Sequence, residues 1–172
     1  GKLTANGAGD ISAETVEGTS NVTDAASLKI TTANGDVTAN SVAGAVDITD
    51  LDGSADIKKA GSLKIGSATG TVDASKISGK AEIGSASAVD INTADSVVAD
   101  NVTNGLVVKS INGTVESSGT LGSFDATDVG GATTLNDVSG RIRATDVSDL
   151  SANSAGSLSI NGAGNVQVAT VN

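Results

Sequence analysis

From end to end the chain repeats one short pattern of apolar and polar positions, x-Φ-x-Φ-x-x-Φ-x-G, where Φ is mostly Val, Ile, Leu or Ala. Clear copies are SLKITTANG from Ser27, DVTANSVAG from Asp36, AVDITDLDG from Ala45, SLKIGSATG from Ser62 and TVDASKISG from Thr71. The Φ-x-Φ segment alternates with period two, which predicts a short strand with one face turned inward. Gly or Asn at the end of the unit supplies the backbone freedom that a sharp bend requires. Helix is disfavoured, because β-branched residues are frequent and Gly recurs about every nine positions. A unit this short cannot bury its own apolar face, so it has to stack on its neighbours.

About 19 units follow one another without a linker, a low-complexity tail or a shift in composition, which predicts a single repeat domain over residues 1–172. TVESSGTLG from Thr114 is irregular at its third apolar position. The five Asn-Gly pairs would suit the type I′ turns of antiparallel hairpins. Strands this short give a hairpin little to hold it, whereas coiling lets every unit pair above and below. The expected fold is therefore all-β: a parallel β-solenoid, or β-helix.

Two patterns bear on the number of units per coil. Small Ala at the second Φ occurs at Ala13 and Ala39, and again at Ala74, Ala99 and Ala126, with a gap of three units between successive members of each group. Large residues at the third Φ (Leu51, Ile77, Val102, Val129) recur at a similar spacing. Charge points the same way, since two units per coil would stack Asp56, Asp73 and Asp90 directly, ~4.8 Å apart. These patterns favour about three short strands and roughly 26 residues per coil, in about six coils. A two-sided coil is the alternative.

Composition narrows the chemistry. The chain has no Trp, Tyr, Met, Cys, His or Pro, and Phe124 is the sole aromatic, expected to plug one wider layer of a small-residue core. Disordered chains share much of this mix but lack Val and Ile in register. Without cysteine there is no disulfide scaffold and no thiolate metal site. Without histidine the commonest general base is missing. A formal charge of −10 argues against nucleic acid as a partner, and no apolar run approaches the length that spans a bilayer. The chain starts without Met or a signal peptide, which reads as a processed chain or an excised segment.

The Asp residues are the first place to seek a site. Asp50 and Asp52 stand two apart before Gly53, like the opening of a calcium loop, although the distal bidentate Glu of a complete loop is absent. They are the candidate metal ligands, with calcium the one candidate cofactor. Carboxylate pairs could also cleave glycosides, but no aromatic platform and no positioned base accompany them, and the expectation is that the chain is not an enzyme. The outward stripe Lys29, Thr38, Asp47, Asp56, Lys64, Asp73 is not the Thr array of an ice-binding face. Sequons at Asn21, Asn101 and Asn112 matter only where extracellular proteins are glycosylated. Neither end of the chain looks capped: Lys2, Leu3, Thr4 and Ala5 are strand-like, and so are Asn165, Val166, Gln167 and Val168. Uncapped ends expose unpaired strand edges that invite stacking, so these eight residues are the candidate assembly edges.

Strings such as ITTANGDVTANSVAGAVDITDLDG and LSINGAGNVQVATVN resemble the β-solenoid repeats of bacterial and archaeal surface-layer proteins and large secreted adhesins. They are also similar to the putative-adhesin solenoid family. The resemblance covers nearly the whole chain and implies an extracellular or cell-surface structural part. The strand-like ends predict head-to-tail self-assembly with copies of itself, or continuation of the solenoid into a longer chain. An adhesin stalk or a calcium-dependent module binding a glycan or cell-surface receptor is the alternative.

Overall fold

The computed structural model describes residues 1–172 and contains strands only. In chain order they are β1 (Leu3–Asn6), β2 (Asp10–Val16), β3 (Ser20–Thr23), β4 (Ser27–Ala33), β5 (Val37–Ala39), β6 (Ala45–Leu51) and β7 (Ala55–Ala60). Then come β8 (Ser62–Ala68), β9 (Thr71–Ile77), β10 (Lys80–Ala94), β11 (Ser96–Ile111), β12 (Val115–Leu121) and β13 (Phe124–Val171). The last of these is one extended run that winds round the coil several times rather than a straight strand. All pairing is parallel, as a single winding direction requires.

From β1 to β8 each strand pairs with the one two places along, not three. Ser27 stands beside Asp10, Val46 beside Leu28 and Val72 beside Ala55, so a turn takes two units. One face carries β2, β4, β6 and β8, continuing through the first halves of β10 and β11 to β12 and residues 133–138. The other carries β1, β3, β5, β7 and β9, continuing through the second halves of β10 and β11 to the start of β13. That makes about eight paired turns. The expected parallel β-solenoid is present, but each coil has two strands and about 17 residues rather than the larger three-stranded circuit.

The reason lies in how the interior is filled. Ala39 and Ala74 belong to the second face, whereas Ala13 and Ala99 belong to the first. A step of three units is one and a half turns, so it carries a small side chain from one face to the other. Ala74 falls between Ile65 and Ile83 along the chain, and all three are buried. The period in the sequence therefore reports volume matching across the core rather than the circumference of the coil. Leu51, Ile77, Val102 and Val129 alternate between faces in the same way.

The three Φ positions of each unit point inward and form one continuous core of 46 buried residues. Phe124 is 1% exposed and is among the largest side chains in it, as expected of a plug. The irregular unit at Thr114 corresponds to a register shift between Ser117 and Thr120, where β12 carries one extra residue. Outside the core, nearly every side-chain hydrogen bond joins residues one turn apart: Asp36 accepts from the Ser54 amide at 2.8 Å and Asp100 from the Ser118 hydroxyl at 2.7 Å. Many of the acidic residues thus act as clamps between turns.

Three core positions break the apolar rule: Ser117, whose hydroxyl donates to the Asp100 carbonyl at 3.2 Å, Ser20 and Thr133. The hydroxyls of Ser20 and Thr133 are buried and have no hydrogen-bond partner. A buried donor left unpaired costs about 1–3 kcal/mol. Thr133→Val keeps the shape and removes the hydroxyl, so it is expected to stabilise the fold by about 1 kcal/mol. A lower denaturation midpoint for Thr133→Val than for the parent would contradict this reading of the core.

Candidate functional site: the open ends and the charged faces

At each end of residues 1–172 a turn has a paired neighbour on one side only. At the start, β1 pairs only with β3 and β2 only with β4, so the outer edge of the first turn has no partner within the chain. The inward side chains Leu3, Ile11 and Ala13 are only partly buried there. At the far end the last turn of β13 leaves Leu158 37%, Val166 40% and Val171 54% exposed. Inward positions in the middle of the coil, such as Val97, Val102 and Leu106, are 0% exposed. The same side-chain pattern that makes the core makes the ends apolar, because each turn covers only its neighbours.

The candidate edge residues fall on two faces. Leu3, Thr4 and Ala5 lie in β1 on the second face, and Lys2 precedes that strand. Asn165, Val166, Gln167 and Val168 lie on the first face, with the Asn165 amide bound to Asp149 at 3.0 Å. The two groups therefore occupy different columns. The end of the column that begins at Leu3 is Leu158 to Ile160, and the start of the column that ends at Asn165–Val168 is Ile11 to Ala13. Sequence reasoning did not single out Leu158, Ile160 or Ile11, because choosing them requires the correct coil length. Exposure of Leu and Val at regular inward positions is the signal that marks them.

Asp50 and Asp52 each take a hydrogen bond from the next turn. Asp50 lies in β6 and accepts from the Ser67 hydroxyl at 2.9 Å, while Asp52 lies at the corner and accepts from the Thr69 hydroxyl at 3.1 Å. Both act as clamps to the next turn, and neither belongs to a group of three acidic side chains of the kind that holds a metal ion. Of the sequons, Asn21 lies in β3, Asn101 in β11 and Asn112 at a corner, all exposed. A surface depression of about 460 Å³ sits on the first face at the β12 irregularity. Glu116 is the one ionisable side chain among the six residues that line it.

The outward columns differ in charge. On the first face the central column runs Lys29, Asp47, Lys64, Glu82, with opposite charges directly stacked. Lys80 and Lys64 both reach Glu82, at 3.1 and 3.7 Å, and the hydrogen bond and charge of Lys80 hold that carboxyl below the usual range. On the second face Asp56, Asp73 and Asp90 do stack directly, the arrangement that counted against two units per coil. Neighbouring cations offset it: Lys58 lies 2.9 Å from Asp56 and Lys109 lies 3.2 Å from Asp90. The hydrogen bond to Asp56 raises the Lys58 ammonium above its usual value. All these groups face solvent, where like-charge repulsion is too weak to decide the coil length against core packing. Asp73, in the middle, makes no ion pair. Asp73→Asn is expected to raise stability by about 0.5 kcal/mol at low salt, with the gain shrinking as ionic strength rises. A loss of stability, measured by urea denaturation at two salt concentrations, would show that the column is not repulsive.

Compared with known protein families, characterised proteins and solved structures, the chain gave no match.

Proposed function

We propose that this chain is a structural part of a cell-surface filament or surface layer, assembled head-to-tail through its open solenoid ends. The observation that carries the reading is the last turn's core-type side chains: Leu158, Val166 and Val171 are exposed, and Ile160, Ala163 and Val168 are only partly buried. A parallel edge with unpaired N–H and C=O groups beside exposed apolar side chains is a template for another turn. The two ends differ, one offering β1 and β2 and the other the last turn of β13, so the contact is heterologous and grows into an open fibre instead of closing as a dimer. The resemblance to surface-layer and adhesin solenoids, and the acidic composition rich in Ser, Thr and Gly, support an extracellular setting.

Sedimentation velocity over a range of concentrations tests this. The parent chain is expected to form assemblies that grow with concentration, and Leu158→Lys to remain monomeric with an unchanged fold, because a lysine on the end face places a charge in the joint. A parent that stays monomeric at high concentration, or a Leu158→Lys chain that assembles like the parent, would sink the proposal.

A further inference from the structure

The two ends share a backbone shape that the middle of the solenoid lacks. The left-handed conformation occurs at Gly7 (64°), Asp24 (53°), Asp128 (57°), Asp146 (52°) and Gly162 (81°), the angle given being φ. All five fall in one column at the second-face corner. Gly7 is the neighbour of Asp24, since Asn6 pairs with Thr23. A Cβ placed on Gly162 would lie 3.3 Å from the Asp146 amide nitrogen, which sets Gly162 directly beyond Asp146. Asp146 follows Asp128 by one turn, as Arg143 follows Asp125 in the ion pair beside it. The intervening turns have Ser41, Lys59, Lys76, Thr93 and Ser110 at this corner, and none of them is left-handed.

The geometry points to a joint of one register between copies. Leu158 of one copy continues the column of Leu3 of the next, and Gly162 is laid over Gly7. This rests on the head-to-tail reading above and adds the polarity and the rotational setting of the contact. In that register the left-handed corner runs unbroken through Asp128, Asp146 and Gly162 of one copy into Gly7 and Asp24 of the next. Parallel turns pair best when their corners bend alike, because each backbone group bonds to its counterpart one turn away. A joint rotated by half a turn would instead set Gly162 against a first-face corner near Thr15, where no residue is left-handed. Ile160 would meet Ala5 in the unrotated setting and Ala13 in the rotated one, a large-on-small step like that of Ile57 on Ala74 in either case, so the corner conformation is what sets the register.

The chain has no cysteine, so engineered pairs report the register directly. Thr4 and Ser159 are exposed and would lie one turn apart across the unrotated joint. Adjacent turns are about 4.8 Å apart, within the span that a disulfide bridges. The variant Thr4→Cys/Ser159→Cys is expected to give a ladder of covalent multimers under mild oxidation. Thr4→Cys/Gln167→Cys, the pair for a half-turn rotation, should link at least about tenfold more slowly, at the rate of random encounter. Faster linking of the Thr4/Gln167 pair would overturn the register while leaving head-to-tail stacking intact. Assemblies seen by sedimentation with neither pair linking would also overturn it. Absence of both assembly and linking would remove the register and the stacking together.

Discussion

Ile65→Ala is expected to lower the free energy of unfolding by about 2–5 kcal/mol, the cost of emptying a fully packed core site. Ile65 is 0% exposed and stands in a column of isoleucines, paired in register with Ile48 on one side and Ile83 on the other. A solenoid turn touches only its neighbours, so nothing further away can close over the space. The loss should appear as a lower midpoint in urea. It should also broaden the transition, because a weak turn at mid-length lets the two flanking blocks unfold separately. The two-sided coil adds a sharper expectation. Ala74 lies on the opposite face, between Ile65 and Ile83 along the chain, so Ile65→Ala with Ala74→Ile should recover part of the loss.

Gly61→Ala is the second large effect, and its cause is steric. Gly61 sits at the corner where the second face turns into the first, donating to the Gly44 carbonyl at 2.7 Å and accepting from the Gly79 amide at 2.7 Å. A Cβ there would lie 2.7 Å from the Ala43 carbonyl oxygen and 2.9 Å from that of Gly44. Both are backbone atoms of the turn below, fixed in the same ladder, and cannot move aside as a flexible side chain would. The expected cost is about 2–3 kcal/mol, at the upper end for overpacking. Gly9 stands at the same corner in the first turn and has nothing within 4 Å of its Cβ position. Gly9→Ala should therefore be neutral or slightly stabilising, through a less flexible unfolded chain. Equal melting temperatures for the two variants would contradict the claim that turn-on-turn contact, rather than turn conformation, demands glycine at residue 61.

The strands and the inward positions were legible because they depend on local alternation alone. Leu28, Ile30 and Ala33 are buried where the pattern places them, and Lys29 between them is exposed. Coil length was not legible in the same way. Ala39, Ala74 and Ala99 carry a true period, but it is the period of volume matching across two faces, and the sequence does not say which faces are being matched. The Asp56, Asp73 and Asp90 column misdirected for a related reason: on a solvated surface with Lys58 and Lys109 at hand, its repulsion is small beside the burial of isoleucines. The candidate edges were legible as strand-like termini. Their partners Leu158 and Ile11 were not, because naming them takes the length of the turn, which only the pairing reveals.

Most of the chemistry-bearing side chains are used within the fold. Asp36, Asp50, Asp52, Asp100 and Asp149 each accept a hydrogen bond from the turn above, so much of the acidity serves to clamp turns together. The exposed large apolar side chains, Leu158, Val166 and Val171, and the unpaired edge of β1 and β2 lie in the last and first turns of residues 1–172. Electron microscopy of the purified chain at increasing concentration tests head-to-tail stacking most directly. Rods one coil wide, whose lengths step by one molecule and grow with concentration, are the expected result; uniform particles of single-molecule length at every concentration would contradict it.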